Sequence, residues 1–236
     1  MPLVEIPKPK LVTEIRQIAA SSLFPNVREF RNFLSAKAEQ YGVDKIGDGA
    51  QHFVFATPND GERAVSVFFA ATGPREAKLA FYLQRIYSTL WPDNFPRMYA
   101  ACSPKDKNSP AVTIRRRIYL GGKMKPPGDF AKIKEVLPED SPKSFKHVVI
   151  DSRNYGIPLP LDIMPSNYVL GKDGGEYYVD EIDWREFRNV QPFPQRNILK
   201  FMEDRNFSKV QKRQVQVSIA RIKHLLSEPV LNKEVA

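Results

Sequence analysis

The spacing of apolar residues changes along this chain, and those changes limit the folds that it can adopt. Residues 1–42 place apolar side chains at helical spacing and predict two helices, the second ending at Gly42. From residue 43 the spacing alternates instead, and the segments QHFVFAT and ERAVSVFFA, on either side of the turn PNDG, predict a strand hairpin. One helix is predicted from about Arg75 to Leu90, followed by two strands around RMYAAC and AVTIRRRIYL.

A second change follows the stretch GGKMKPPG, which is the clearest break in composition. A helix capped at Ser141 and ended at Gly156 is predicted after it, and then the strand–turn–strand segment NYVLGKDGGEYYVD. Two helices complete the chain, and the last of them begins at Ser208. Its predicted core-facing stripe consists of Val215, Ile219, Ile222 and Leu226.

The order of these elements predicts an α+β protein with two lobes. We expect a helical extension at residues 1–42, a first lobe at residues 43–122 and a second lobe at residues 123–236. A chain of 236 residues is long enough for one large domain or for two small lobes that share a core.

Composition and charge limit the partners and the compartment. The formal net charge of +9 suits an anionic partner, such as a nucleotide, a nucleic acid, an acidic protein or a membrane surface. The single Cys102 excludes an intramolecular disulfide, and the three histidines are too scattered to indicate a metal cluster. Since we find neither a transmembrane span nor the apolar core of a signal peptide, we expect a cytoplasmic protein, with export by another route left open.

Three short motifs carry chemical information. In the first strand pair, two glycines of the segment G-x-G-x-x-H-x-V would let backbone N–H groups approach phosphate oxygens closely. Further on, Asp162 lies five positions before Asn167, and Asp180 ends the strand EYYVD. Oxygen ligands of this kind suit Mg²⁺. The glycine segment consists of Gly47, Asp48, Gly49, Ala50, Gln51, His52, Phe53 and Val54.

Together, these motifs resemble those of the protein-kinase-like superfamily, including its aminoglycoside-phosphotransferase branch. The resemblance covers residues 43 to about 190 and implies a bilobal fold that binds ATP and Mg²⁺. It implies that Asp162 is the catalytic base, that Asn167 and Asp180 hold the metal, and that the glycine segment covers the phosphates. Glu76, at the start of the predicted helix, matches the glutamate that orients a lysine on the third strand of kinases.

The chain departs from the kinase pattern in two respects. Ser66 stands where that lysine is expected, and no lysine occurs between residues 46 and 77. The second lobe is also truncated, because it has no A-P-E motif and no room for a long activation segment. Three other cations are poor substitutes for the lysine. Arg63 is an odd number of residues from Ser66 and should face the other side of the strand. Lys45 lies just before the glycine segment, and Lys78 is two residues past Glu76 and off its face.

These observations support three functional hypotheses. The first is a phosphotransferase that uses Mg²⁺-ATP and acts on a hydroxyl of an unidentified protein or small molecule, with nucleotidyl transfer left open. The second is a pseudokinase, which would bind a nucleotide without transferring phosphate. The third is a basic protein associated with nucleic acid, although Arg115, Arg116 and Arg117 alternate between the faces of a strand.

Some of these residues also have ordinary structural interpretations. Asp162 and Asn167 lie on either side of Pro165 and Ser166, where such side chains commonly cap turns. Glu76 would stabilise the start of a helix through the helix dipole alone. The functional interpretation depends on all of these residues meeting at one site.

Overall fold

The computed structural model describes residues 45–48, 52–57, 60–68, 74–102, 112–123, 144–161, 167–180 and 193–227. The predicted helical extension at residues 1–42 lies outside this part of the chain. The described strands are β1 (Lys45–Asp48), β2 (His52–Thr57), β3 (Asp60–Phe68), β4 (Met98–Cys102), β5 (Val112–Arg116), β6 (Leu120–Lys123), β7 (Tyr168–Gly171) and β8 (Glu176–Tyr178). The described helices are α1 (Pro74–Leu90), α2 (Phe145–Tyr155), α3 (Gln195–Asp204) and α4 (Lys209–Ser227).

The first five strands form one antiparallel sheet in the order β1-β2-β3-β5-β4. Alternation of side chains between its faces follows from the register, in which Val65 pairs with Ile114 and Ser66 pairs with Thr113. The predicted hairpin is confirmed, because Thr57 and Asp60 pair on either side of the turn. Mixed helices and antiparallel sheets also confirm the α+β class.

The remaining strands form a second antiparallel sheet in the order β6-β7-β8. The predicted strand AVTIRRRIYL is wrong at its end, because β5 stops at Arg116 and β6 pairs with β7 of the other sheet. Residues 117–119 therefore link the two sheets. Backbone pairing decides this division: the Arg117 N–H donates to Glu62, whereas the Tyr119 carbonyl accepts from Lys172. The division between predicted lobes after residue 122 falls inside β6.

The turn between β7 and β8 depends on a carboxylate and a glycine. Asp173 accepts a hydrogen bond of 3.2 Å from the Gly175 N–H, which closes the turn on itself. Gly174 adopts a φ of 75°, in the left-handed region that glycine tolerates best. The predicted strand–turn–strand segment is confirmed, with strands at Tyr168–Gly171 and Glu176–Tyr178.

The predicted start of α2 is wrong, although its end is confirmed. Ser144, not Ser141, caps the helix, because its hydroxyl accepts from the N–H of Lys146 and its backbone is extended. Ser141 lies outside the described residues. The carboxylate of Glu176 accepts from the N–H of Phe145 at 2.6 Å and so ties this helix end to β8. Gly156 ends the helix with a φ of 62°.

The last helix follows its predicted pattern closely. Ser208 precedes α4, and its hydroxyl accepts from the N–H of Gln211, while the Gln211 side chain accepts from the N–H of Ser208. The predicted stripe is buried at three of its four positions, and Leu225 is more deeply buried than Leu226. Helix α4 packs against α1, so the end of the chain covers the helix that follows the first hairpin.

The main core is rich in aromatic rings. Phe95 is fully buried and its ring lies 5.5 Å from Tyr87, 5.7 Å from Phe145 and 6.0 Å from Tyr178, measured between centroids. These contacts join α1, α2 and β8 around one side chain. Aromatic pairs at such separations add stabilisation beyond the burial of area. No described helix is long and apolar enough to cross a membrane.

Replacing Phe95 should therefore destabilise the whole fold. We expect Phe95→Ala to lower the free energy of unfolding by about 3–5 kcal/mol, because it removes a buried ring and leaves a cavity among three elements. Urea denaturation followed by circular dichroism measures this change. Ile150→Ala is the matched control, since Ile150 on α2 is 42% exposed and its loss should cost within about 0.5 kcal/mol. Similar losses for both variants would contradict this account of the core.

Candidate functional site

A cleft of about 410 Å³ lies between the two sheets. Its volume is within the range of small-molecule sites in proteins, which is roughly 300–1,000 Å³. The five-stranded sheet forms one wall, the β7–β8 hairpin contributes to the other, and the linking residues 117–119 close one side. The lining residues are Ile46, Gly47, Val54, Ala64, Pro96, Arg115, Arg116, Arg117, Ile118, Tyr119, Leu120, Val169 and Val179.

Apolar side chains line part of both walls of this inter-sheet cleft, beside the arginines of β5 and the linker. Val54 and Ala64 share one face of the first sheet, because Val54 pairs with Ser66 and Ala64 is two residues from Ser66 on the same strand. Val169 on β7 and Val179 after β8 line the cleft from the second sheet. Apolar surfaces on both sides suit a flat, uncharged ring system.

The linker between the sheets offers polar backbone groups to the cleft. Hydrogen bonds hold it on both sides, from the Arg117 N–H to Glu62 at 2.7 Å and from the Lys172 N–H to Tyr119 at 2.8 Å. Within the described part of the chain, neither the N–H nor the carbonyl of Ile118 between them has a hydrogen-bond partner. A backbone donor and acceptor side by side can recognise the edge of a heterocyclic base.

The glycine segment lies partly at the cleft. Gly47 pairs with Val54, and both line the cavity. A Cβ on Gly47 would lie 3.2 Å from the Cβ of Val54, so the small residue permits this close approach. Asp48 ends β1 and His52 begins β2. Residues 49–51, with the predicted Gly49, Ala50 and Gln51, lie outside the described residues.

The two predicted metal ligands lie at the same end of the β7–β8 hairpin. The N–H of Val179 donates to the carbonyl of Asn167 at 2.8 Å, so Asn167 lies opposite Val179 and next to the strand that leads to Asp180. An amide oxygen and a carboxylate are the hard oxygen ligands that Mg²⁺ accepts. The donor set therefore fits this ion. The described residues contain no group of three His, Cys, Asp or Glu that could hold a metal by themselves.

The structure describes the surroundings of Asp162 and the backbone of Glu76, the other two predicted site residues. Asp162 lies outside the described residues, but Leu161 immediately before it is buried in the main core. That burial fixes the chain on one side of Asp162, and the hairpin begins after Asn167 on the other. Glu76 lies in the first turn of α1, and its side chain is outside the described part. The roles of both residues stay predictions.

A buried serine occupies the position at which the kinase resemblance predicts a lysine. Ser66 is fully buried and pairs with Thr113, and neither hydroxyl has a hydrogen-bond partner within the described residues. Its register places it on the face of the sheet that lines the cleft. As predicted, Arg63 lies on the opposite face, where its guanidinium stacks 5.0 Å from the ring centroid of Tyr99.

Arg115 is a residue of the cleft that the sequence pattern does not distinguish from the two arginines after it. This residue is 6% exposed, pairs with Ala64 and lines the cleft, and its guanidinium donates to the carbonyl of Val179. Its neighbours Arg116 and Arg117 also line the cleft, but Arg116 is exposed and Arg117 is only half-buried. The pairing with the buried Ala64 would have identified Arg115 as the most buried of the three arginines.

A small polar cluster supports the tip of the hairpin beside the cleft. The Tyr177 hydroxyl donates to Asp173 at 2.6 Å, and Arg116 lies 3.7 Å from the same carboxylate. Burial and this hydrogen bond raise the pKa of Tyr177 to about 12. The cluster thus joins the hairpin tip to the end of β5.

No protein-family model matches the sequence, and no curated protein matches it significantly. Among the solved structures that are similar is that of the GDP and kanamycin complex of APH(2")-IIia, with 10% identity and a TM-score of 0.35, over 93% of this chain and 87% of the other. At this identity and TM-score the likeness supports no argument about fold or function. The fold is described from the strands and helices themselves, and the function is argued from the residues of the cleft.

The Tyr177–Asp173 hydrogen bond should make stability fall at alkaline pH. Because the folded-state pKa of about 12 is above the ordinary value of 10, its contribution is complete below about pH 10 and is lost towards pH 12. At about pH 8 we expect Tyr177→Phe to be less stable than the wild type by about 1–2 kcal/mol. Urea denaturation at about pH 8 and about pH 11 should show that gap becoming smaller. A gap that does not change with pH would contradict the assignment.

Proposed function

We propose that this protein is an atypical kinase-like phosphotransferase that binds a nucleotide and Mg²⁺ in the inter-sheet cleft. The observation that carries the proposal is that an apolar cleft of about 410 Å³ has a backbone hydrogen-bonding edge in its linker and an amide–carboxylate pair at the adjacent hairpin end. A nucleotide needs each of these features, for its base and for its phosphates. The motif order along the chain supports the same conclusion.

The base of the nucleotide would lie between the two apolar walls. Val54 and Ala64 would cover one face of the ring and Val169 the other, which excludes water from both faces. The backbone of Ile118 would then bind the edge of the base. Because backbone groups supply this recognition, it does not depend on the identity of the linker side chains.

The phosphates would extend towards Gly47 and the hairpin end. Asn167 and Asp180 would hold Mg²⁺ there, and the metal supplies the positive charge that neutralises the phosphate oxygens. Asp162 would accept the proton of the acceptor hydroxyl. Phosphoryl transfer needs positioning and charge neutralisation more than covalent help from the protein, so these few residues suffice.

The second candidate function is nucleotide binding without transfer, as in a pseudokinase. The observation that favours it is the buried Ser66, which offers no positive charge at the position of the expected lysine. The intact set of Asp162, Asn167 and Asp180 favours transfer instead. The two functions share the cleft and differ only in the chemical step, so separate experiments test them.

Calorimetric titration tests nucleotide binding. We expect the wild-type protein to bind ATP more tightly with Mg²⁺ than without it, and Asp180→Ala to weaken binding in the presence of Mg²⁺ at least roughly tenfold, since even indirect contacts to a metal are worth that much. Glu203→Ala on α3 is the control, because this exposed carboxylate does not line the cleft. Failure of the wild-type protein to bind any purine nucleoside triphosphate would refute the proposal.

Replacement of the predicted base tests transfer. Asp162→Asn should reduce the transfer of labelled γ-phosphate to water or to the protein itself by roughly 10²–10⁴-fold, because a general base contributes that much, while ATP binding stays nearly intact. Parallel reactions with α-labelled ATP distinguish nucleotidyl from phosphoryl transfer. Equal activity in Asp162→Asn would show that the base is assigned wrongly. Binding without transfer in the wild type would favour the pseudokinase function.

A further inference from the structure

Arg115 is a charged side chain in a place where burial is costly. It is 6% exposed on the cleft face of β5, and transferring a guanidinium away from water is unfavourable unless polar groups compensate for it. The arginines at 116 and 117 also line the cleft, but they are less buried. Arg115 is therefore the cleft arginine whose position the fold restricts most.

One contact of Arg115 lies next to a predicted metal ligand. Its guanidinium donates to the carbonyl of Val179, and the following residue is Asp180. The N–H of the same Val179 donates to the carbonyl of Asn167. Val179, which lies opposite Asn167 and directly before Asp180, is thus held through both of its polar backbone groups. Its N–H donates to Asn167 and its carbonyl accepts from Arg115.

The sheet register relates Arg115 to the missing lysine. Arg115 pairs with Ala64, and Ser66 is two residues from Ala64 on the same face. A cation on β5 therefore reaches the same side of the sheet as a lysine at position 66 would. Ser66 itself is fully buried and supplies no charge.

We propose that Arg115 is the positioning cation of the cleft, which holds Asp180 in place through the Val179 carbonyl and supplies the positive charge that position 66 lacks. This inference rests on the proposed function. Arg115 acts on the metal site through the backbone, and its effect should appear in the Mg²⁺ dependence of nucleotide binding. Loss of the side chain would leave the Val179 carbonyl without its donor and the hairpin end less constrained.

The test compares three variants in the full chain, using ATP titrations at graded Mg²⁺ concentrations and in EDTA. We expect Arg115→Met to raise the Mg²⁺ concentration for half-maximal ATP binding by about 10- to 100-fold, with a smaller loss of ATP affinity in EDTA, where only the charge of Arg115 is lost. Arg115→Lys, which retains the charge and a donor, should give a smaller increase. Arg63→Met is the matched control, since Arg63 faces away from the cleft, and it should behave like the wild type.

An unchanged Mg²⁺ requirement in folded Arg115→Met would overturn the inference, as would equal weakening with and without Mg²⁺. Thermal unfolding monitors the fold of each variant. Should Arg115→Met not fold, Arg115→Gln replaces it, with the same expected increase and the same overturning results. Absence of ATP binding in the wild type would refute the proposed function itself, so the two failures are distinguishable.

A second-site variant tests the relation to the lysine directly. Ser66→Lys in the Arg115→Met background returns a cation to the same face of the sheet, on the neighbouring strand. We expect it to lower the Mg²⁺ requirement at least threefold, by about half a kcal/mol or more. A folded double variant with no such recovery would show that the charge of Arg115 is not equivalent to that of a lysine at position 66.

Discussion

The backbone at Tyr178 and Val179 is the constraint on which the candidate site depends. The N–H of Tyr178 donates to the carbonyl of Asn94 at 2.9 Å, and the N–H of Val179 donates to Asn167. The Tyr178 ring is fully buried and packs against Phe95. Two consecutive residues are therefore fixed by hydrogen bonds and by packing, immediately before Asp180. A metal site needs this kind of support, because ligand geometry is maintained by the groups around the ligands.

The same core connects the site to the helices. Asp151 on α2 accepts from the indole N–H of Trp91 at 3.3 Å and from Arg205 at 2.6 Å, so one carboxylate joins three parts of the chain. Trp91 and Phe95 follow directly after α1, and the hairpin packs on Phe95. Movement of the hairpin relative to α1 would break aromatic contacts in a closely packed interior, which resists small displacements. The cleft wall is thus rigid on its hairpin side.

The sequence predicted the strands and helices well where the apolar pattern was regular. The stripe of α4 and the turn between β7 and β8 needed only local information, because spacing and turn residues determine them. The same hairpin pattern predicted that Asn167, at its start, and Asp180, at its end, lie near each other. Nucleotide binding and the roles of Asp162 and Glu76 stay predictions, since the described residues do not include the groups that would test them.

Features that depend on distant pairing were not predictable. AVTIRRRIYL reads as one strand, but it divides because Arg117 bonds to Glu62 and Tyr119 to Lys172, and these partners are remote in sequence. Ser141 and Ser144 are equally good caps by composition, and only the backbone geometry selects Ser144. Three consecutive arginines carry no sign of which one is buried. The register with β3 pairs Arg115 with the buried Ala64 and so decides that Arg115 is.

A serine at position 66 does not by itself exclude the proposed activity of the cleft. Phosphoryl transfer requires charge at the right place and does not depend on which strand supplies it. Neighbouring strands lie roughly 5 Å apart, and an arginine side chain spans more than that distance. A cation on β5 can therefore reach the same face of the sheet as a cation on β3, although it reaches that face from a different direction. Arg115 reaches across the cleft to the Val179 carbonyl, so its charge is tied to the hairpin. In such an arrangement Arg115 is linked to Asp180, the predicted metal ligand, through a single peptide group.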